Sequence, residues 1–286
     1  MKDYILLCPN AHRDYELQAT RTIRDFLTER GYKVCISPLL SEGLTHLWSE
    51  DVKVVPIEEG IRNARFAVTL GGDGTILQAS RYFGGTGVPL LGINLGNKGF
   101  LAELERGDLV SLLDAAEGRY SVYERSMLDV ELWRDGKLTF SSRALNEAVL
   151  RATVSVIRLQ VFGDGREITE FSGDGVIVST PTGSTAYSMA AGGPIVEPDG
   201  DCLILTPICT FRLAARSYVL NSGRHLVIRA VDQQEKEVML SLDGVPIPFL
   251  HGDELRVKCS DSTLTMANVT DRSFYDIVFA KLNDKA

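Results

Sequence analysis

Asp73 is a carboxylate in a place built for anions. It lies within Gly71-Gly72-Asp73-Gly74-Thr75, after the apolar run Phe66–Leu70 and before Ile76, Ala79, Ser80 and Phe83, which share one face at helical spacing. The order is strand, glycine turn, helix. Glycine lets the backbone take positive φ and approach a ligand closely. The start of a helix offers unpaired N–H groups and a positive dipole end, which suit phosphate. A carboxylate among phosphates is misplaced unless it holds a metal or takes a proton. The plainer alternative is a glycine-rich βα turn with Asp73 as a turn or N-cap residue. No Gly-Lys-Ser/Thr follows, so this is no Walker A loop, and the dinucleotide GxGxxG fingerprint is absent.

Two other stretches could do chemistry. Asn146-Glu147 sits between Ala144-Leu145 and Ala148-Val149, and polar side chains in an apolar surround need hydrogen-bond partners. A turn between strands would also explain the pair. Thr180-Pro181-Thr182-Gly183-Ser184-Thr185-Ala186-Tyr187 packs four hydroxyls and a tyrosine into eight residues and runs on through Ser188, Met189 and Ala190 to Gly192-Gly193-Pro194. Small hydroxyls and exposed amides suit an adenine edge, a ribose or a phosphate, and Tyr187 can stack on a flat ring. Capping of a helix Ala186–Ala191 by Ser184 or Thr185 is expected as well, but a cap needs one hydroxyl, so the density favours a ligand.

The elements that must position these residues fall into two groups. The first part alternates strands and helices: strands at Ile5–Leu7, Tyr32–Ile36, Val52–Val55, Phe66–Leu70 and Pro89–Ile93, helices at Glu16–Arg30, Glu58–Arg65 and a run capped by Asp108 and ended by Gly118, with Pro38–Asp51 irregular. Such alternation implies a doubly wound parallel sheet covered on both faces, with ligands beyond the carboxyl ends of its strands. Gly71–Thr75 and a second glycine loop, Asn94–Phe100, both lie at such ends. Near Tyr120 the period becomes two. Asp135-Gly136 and Asp164-Gly165 read as hairpin turns, and strands are expected at Val154–Phe162, Glu167–Phe171, Val176–Ser179, Leu203–Leu205, Leu226–Ala230, Val238–Leu242 and Glu254–Lys258. The fold class expected is therefore an N-terminal α/β domain followed by a mostly antiparallel β domain. In the tail Phe274, Ile277, Val278 and Leu282 share a helical face, so the last helix should return to the first domain, giving residues 1–122 plus about 266–286, and 123–265.

Composition narrows the function classes. The chain has 286 residues, 44% hydrophobic and 24% charged, an ordinary globular composition with ample core. No apolar run is long enough to span a bilayer, and the first strand is too short for a signal peptide, so a cytoplasmic protein is expected, with no membrane partner. A net charge of −8 argues against nucleic acid. The five cysteines show no CxxC spacing and read as buried, reduced thiols. The four histidines show no ligand spacing either.

Taken together, the glycine turn, the Asn146-Glu147 pair and Thr180–Tyr187 running to Gly192-Gly193-Pro194 resemble the NAD kinase family, and Asn94–Leu101 matches its looser GIN..G..GFL stretch. The resemblance covers about Phe66 to Leu282. It implies transfer of the terminal phosphate of ATP, or of polyphosphate, to the adenosine ribose 2′-hydroxyl of NAD. By motif, Asp73 would be the base, and Gly72, Gly74 and Thr75 would hold phosphate through the backbone. Asn146 and Glu147 would hydrogen-bond the dinucleotide, Thr185, Ala186, Tyr187 and Ser188 would line adenine and ribose, and Met189 and Ala190 would adjoin them. Asp174 would reach the nucleotide, from a neighbouring subunit of a homodimer or homotetramer, and Ser155 and Ser172 would lie on the nicotinamide side. No carboxylate cluster reads as a metal cage, so Mg2+ or another divalent cation would be held mainly by the donor's phosphates.

The chain departs from the family pattern at Leu95, often Arg, at Lys98, often Leu, and at Val245, where many members have Gln. Lys98 reads as a solvated loop lysine or as a phosphate contact, and Val245 offers no side-chain amide. Two competing readings remain at this level. A lipid kinase of the diacylglycerol or sphingosine type shares the glycine motif, but Thr180–Tyr187 and the lack of a marked apolar stretch oppose it. A non-catalytic nucleotide sensor would gain nothing from Asp73.

Overall fold

The computed structural model describes residues 3–39, 54–96, 99–211, 215–231, 237–270 and 272–283. Most of the irregular stretch after Pro38, the first half of the expected strand Val52–Val55, and Lys98 lie outside the described residues. The chain divides into two compact units, residues 1–124 with 264–286, and residues 125–263.

The first unit is built on parallel strands β1 (Tyr4–Pro9), β2 (Val34–Ile36), β3 (Ala64–Gly71), β4 (Leu90–Asn94) and β5 (Leu104–Glu105). Their side chains are buried on both faces, so they read as continuous apolar runs rather than alternating ones. Helices α1 (Gln18–Thr28), α2 (Ile57–Asn63), α3 (Asp73–Phe83) and α4 (Leu109–Ala116) accompany them. Ile5, Leu7, Phe66, Val68, Leu91 and Ile93 pack with Ile23, Leu27 and Leu112 in one core. The strand order is β4-β3-β1-β2. From β1 the chain moves outward to β2, then returns to the other side of β1 to lay down β3 and β4. The order therefore reverses between β1 and β3, and an α/β sheet opens its ligand crevice at the carboxyl ends of such a pair.

The expected first helix starts two residues late. Glu16 and Leu17 take positive φ in a short 3-10 turn, and the Asp14 carboxylate accepts the N–H groups of Ala19 and Thr20 at the real start. Asp108 precedes α4, but its carboxylate accepts the Glu105 N–H rather than capping the helix.

The second unit is antiparallel. Strands β6 (Ser121–Arg134) and β7 (Lys137–Ala144) form a hairpin. Then follow β8 (Glu147–Ala152), β9 (Ile157–Gly163), β10 (Arg166–Gly173), β11 (Gly175–Ser179) and the short helix α5 (Tyr187–Ala190). The last strands are β12 (Cys202–Ile208), β13 (Tyr218–Asn221), β14 (Leu226–Ala230), β15 (Val238–Leu242), β16 (Val245–Phe249) and β17 (Asp253–Asn268). One sheet has the order β13-β12-β11-β8-β15-β16. In the other ladder β10, β9, β14 and the first half of β17 are neighbours. Leu128, Leu150, Leu159, Phe171, Val178, Leu205 and Leu240 share the core between them. Asp135-Gly136 and Asp164-Gly165 make the hairpin turns with both residues at positive φ, the type I′ geometry that matches strand twist.

The end of β17 returns to the first unit, where Met266 pairs with Leu90 and Thr265 bonds Glu124. Helix α6 (Phe274–Asn283) follows. Phe274, Ile277 and Val278 are half-buried, but Leu282, expected on the same buried face, is exposed. All five cysteines are free thiols. Cys8 and Cys35 are buried as expected, whereas Cys209 is exposed. Among the described residues no helix is long and apolar enough to cross a membrane.

Candidate active site

In the first unit the chain leaves β3 through Gly71 and enters α3 at Asp73, with Gly72 as the N-cap residue. None of Gly71, Gly72 and Gly74 takes positive φ, contrary to the conformational role expected of them. Their use is space. A Cβ at Gly71 would strike Thr75 Oγ1, whereas at Gly74 it would meet nothing within 4 Å, leaving bare backbone facing outward. A cavity of about 360 Å³ opens there, lined by Asn10, Arg13, Gly71–Thr75, Gln78, Asn94 and Gly96.

Asp73 does not cap its own helix. Its Oδ2 accepts the Phe100 N–H at 2.6 Å, and its Oδ1 accepts those of Leu101 and Ala102 at 3.1 and 3.2 Å. A carboxylate offers about four acceptor sites. Three peptide N–H groups fix its plane and leave one site for a ligand hydroxyl. Gly99 is required by this contact, because a Cβ there would stand 1.9 Å from Asp73 Oδ1. The second glycine loop therefore serves to hold the acid.

In the second unit Asn146 lies in the bend before β8 and Glu147 opens that strand, both buried. The pair is thus partly the turn residue and partly the strand residue of the plainer alternative. Its backbone is gripped from two sides. The Asp243 carboxylate accepts the N–H groups of Leu145, Asn146 and Glu147 at 2.7, 2.8 and 3.0 Å. Thr180 donates its N–H to the Asn146 carbonyl at 2.9 Å and its hydroxyl to the Leu145 carbonyl at 2.6 Å. Gly183 lies against the Asn146 carbonyl, where a Cβ would come within 2.1 Å of the oxygen.

With the backbone fixed, the side chains are left unmet. Among the described residues Asn146 Oδ1, Glu147 Oε2, Ser179 Oγ and Thr182 Oγ1 are buried and meet no hydrogen-bond partner. Burial pushes the Glu147 carboxyl up to about 8, the Asp243 charge adds to this, and the Tyr187 N–H opposes it. Orphaned buried polar atoms cost stability, so their clustering leaves unused bonding that a ligand can complete.

The hydroxyl-rich stretch forms a 3-10 turn, Thr182–Thr185, then α5, with no hydroxyl capping either helix. The expected cap by Ser184 or Thr185 is not made. Ser184 instead exchanges hydrogen bonds with the backbone of Val196, and Thr185 bonds the Thr182 carbonyl. The Ser188 hydroxyl is fully buried against Thr206 Oγ1 at 2.9 Å. Much of the hydroxyl density therefore ties the loop together. Thr185, Ala186, Tyr187, Met189 and Ala190 keep some exposure. Tyr187 joins Ser155, Asp174 and Arg151 around a cavity of about 150 Å³. Ser172, in β10, is half-buried and does not line it.

Four contributors lacked a sequence signal: Asn10, Arg13 and Gln78 in the first unit, and Asp243 in the second. Asn10 and Arg13 follow β1, and the rule that favoured the loops after β3 and β4 applies to that loop as well. Among the described residues no group of three or more His, Cys, Asp or Glu side chains converges on a metal position.

Comparison with known proteins agrees with both halves. The ATP-NAD kinase N-terminal domain matches residues 5–119 and the ATP-NAD kinase C-terminal domain matches residues 145–269. The NAD kinase of Acetivibrio thermocellus is 35% identical over 98% of this chain and 96% of its own. The crystal structure of yeast NADH kinase complexed with NADH superposes with a TM-score of 0.85 at 26% identity, covering 99% of this chain and 89% of that one. An NAD kinase from Archaeoglobus fulgidus in complex with ATP gives 0.73 at 25% identity, covering both chains fully. These are NAD and NADH kinases rather than lipid kinases. The chain belongs to the NAD kinase family, enzymes that phosphorylate NAD to NADP using ATP.

Proposed function

We propose that the first unit holds the phosphoryl donor and the second the dinucleotide, and that Asp73 is the base for attack by the adenosine ribose 2′-hydroxyl. In the reaction the hydroxyl oxygen bonds to the terminal phosphorus, the phosphorus–oxygen bond to the leaving diphosphate breaks, and the hydroxyl proton passes to Asp73. A ribose hydroxyl is a very weak acid, so a positioned carboxylate helps as its proton leaves. The rest is alignment and charge neutralisation. Gly74 presents its backbone N–H to the donor, which is ATP or polyphosphate, while Gly72 and Thr75 shape the turn that holds it, their own N–H groups bonding Thr75 Oγ1 and the Gly72 carbonyl.

Asn146 and Glu147 hydrogen-bond the dinucleotide through the atoms left unpartnered. Thr185, Ala186 and Tyr187 line adenine and ribose, with Ser188 contributing backbone and Met189 and Ala190 adjoining. Ser155, Ser172 and Asp174 complete the contacts, Asp174 from a second subunit of a homodimer or homotetramer. The NADH held by the yeast enzyme and the ATP held by the archaeal one support both ligand assignments.

ATP-dependent transfer uses a divalent cation, and we assign Mg2+. The donor set fits an ion carried by its nucleotide: beside the turn stand one carboxylate, Asp73, and amides such as Asn94 and Gln78, too few for a protein cage. When bound, the ion neutralises charge on the transferring phosphoryl group.

The observation that carries the reading is the bare-backbone cavity beside Asp73, whose carboxylate is fixed with one acceptor site to spare. Asp73→Asn tests it by measuring NADP formation alongside NAD affinity. Turnover should fall about 10²–10⁴-fold with NAD binding largely kept. Unchanged NADP production removes Asp73 from the mechanism.

A further inference from the structure

The crevice where the strand order reverses has two walls. One, after β3, is the glycine turn; the other, after β1, is Asn10–Arg13, which carries no recognisable motif. Asn10 is buried and its amide is oriented: Oδ1 accepts the His12 N–H at 3.1 Å, so Nδ2 faces Thr75 and donates to its Oγ1 at 3.1 Å. Thr75 Oγ1 also accepts the Gly72 N–H at 3.3 Å. Both lone pairs of that hydroxyl are then occupied, and its own hydrogen is left to donate. Thr75 is 2% exposed, and among the described residues its hydrogen meets no acceptor. Arg13 lines the same cavity, exposed, and forms no ion pair among the described residues. Gln78, on the opposite wall, keeps a buried amide oxygen that meets no partner among the described residues.

From these contacts we infer that the loop after β1 is the second half of the donor site: Arg13 grips the donor's phosphates, and Asn10 positions the Thr75 hydroxyl to donate to them. The ligand class is a triphosphate or a longer polyphosphate chain. Guanidinium forks match phosphate oxygens bidentately, and a hydroxyl whose acceptor sites are filled can only donate. Asn10 is a positioning residue, acting through Thr75; Arg13 is a binding residue. The inference rests on the glycine turn being the donor site and deepens that reading. It also assigns work to the one crevice wall that the family motifs leave out.

The test measures binding to the full chain by calorimetry in the presence of Mg2+, with ATP and inorganic tripolyphosphate as donor probes and NAD as the control. Arg13→Gln should weaken both donor probes about tenfold to a hundredfold, the range for a lost charge-assisted hydrogen bond, and Arg13→Lys should restore part of it. Asn10→Ala should weaken both probes by a smaller factor, and adding Thr75→Val to it should cost little more, since the two act as a unit. NAD affinity should stay within about twofold in all of them. Wild-type donor affinity in both Arg13→Gln and Asn10→Ala overturns the inference, as does a parallel loss of NAD affinity, which would mark a structural role. Wild-type protein that binds NAD but neither donor probe overturns both this inference and the donor-site reading. Donor binding that depends on Arg13 without any NADP formed would sink the reaction assignment alone.

Discussion

Three carboxylates set the two units apart. In the first unit Asp73 receives three peptide N–H groups, from Phe100, Leu101 and Ala102. In the second, Asp243 receives three from Leu145, Asn146 and Glu147, while Glu147 itself has the Tyr187 N–H and one buried oxygen that meets no partner among the described residues. A carboxylate braced by peptide groups is an oriented acceptor that needs no rearrangement when a hydroxyl arrives. A buried carboxyl short of donors keeps its proton near neutrality and can both donate and accept. The first arrangement suits taking a proton from a substrate. The second suits holding a ligand by hydrogen bonds, and there the braced carboxylate, Asp243, works on the backbone behind the site.

The sharpest way to break this contrast is Asp73→Asn, with its expected loss of about 10²–10⁴ in turnover. The amide also turns an acceptor into a donor opposite peptide donors, so the Gly99–Ala102 loop should loosen, seen as faster hydrogen exchange at Phe100 to Ala102. Full protection of those amides in the variant would show that the carboxylate does not hold the loop. Next comes Gly183→Ala. Its methyl group would meet the carbonyl oxygen, carbon and Cα of Asn146 at 2.1, 2.6 and 2.8 Å, all backbone atoms that cannot step aside. A loss of about 3 kcal/mol or more in denaturant unfolding is expected, with weaker NAD binding. Wild-type stability would mean that the corner yields and is not a rigid frame.

How much of this was legible in the sequence depended on the kind of signal. Strands buried on both faces, such as β3 and β4, announced themselves as apolar runs, and the Asp-Gly hairpins were fixed by local chemistry. Strands β13 and β16 were missed because they are the two edges of their sheet: β13 is half-exposed, and β16 carries Pro246 and Pro248, which argue against a strand except at an edge. The expected strand from Val154 began too early, since Val154 is 93% exposed and the ladder starts at Ile157. Within the site, Asp73 was visible because its charge conflicts with its surroundings. Asp243 was not, because a carboxylate at a hairpin turn looks ordinary until its ladder partner, strand β8, is known. The hydroxyl density of Thr180–Ser188 was an incomplete argument for a ligand, since several of those hydroxyls bind the loop to itself.

Glu147 gives a prediction in pH. Its folded value, about 8, lies above the ordinary 4.5. Below the ordinary value both folded and unfolded chains hold the proton, and stability is full. As pH rises from there through about 8, the unfolded chain ionises while the folded chain keeps its proton, so stability falls. The slope is at most about 1.4 kcal/mol per pH unit from this one group. Glu147→Gln removes it, so the variant should gain on the wild type steadily between pH 5 and 8, by up to roughly a few kcal/mol in urea unfolding. Parallel curves across that range would show that Glu147 ionises in the folded protein as it does in the unfolded chain, and the contrast drawn from its burial would fail.

The smallest expected effect repeats a glycine-to-alanine change in the other unit. Gly74 is the second residue of α3, does not have positive φ, and an added Cβ meets nothing within 4 Å. Alanine favours helix over glycine by up to about 1 kcal/mol, so Gly74→Ala should leave unfolding unchanged or slightly raised. The methyl group would nevertheless enter the space read as the donor's, so the KM for ATP should rise several-fold while that for NAD stays put. Set beside Gly183→Ala, the same added carbon gives opposite readouts. At Gly183 glycine is there for the fold, because backbone fills the space, and at Gly74, where nothing does, the proposed donor site gives it a ligand to make room for. An unchanged KM for ATP with raised stability would mean that the open face of the turn is plain solvent, and the donor would have to be sought elsewhere in the first unit.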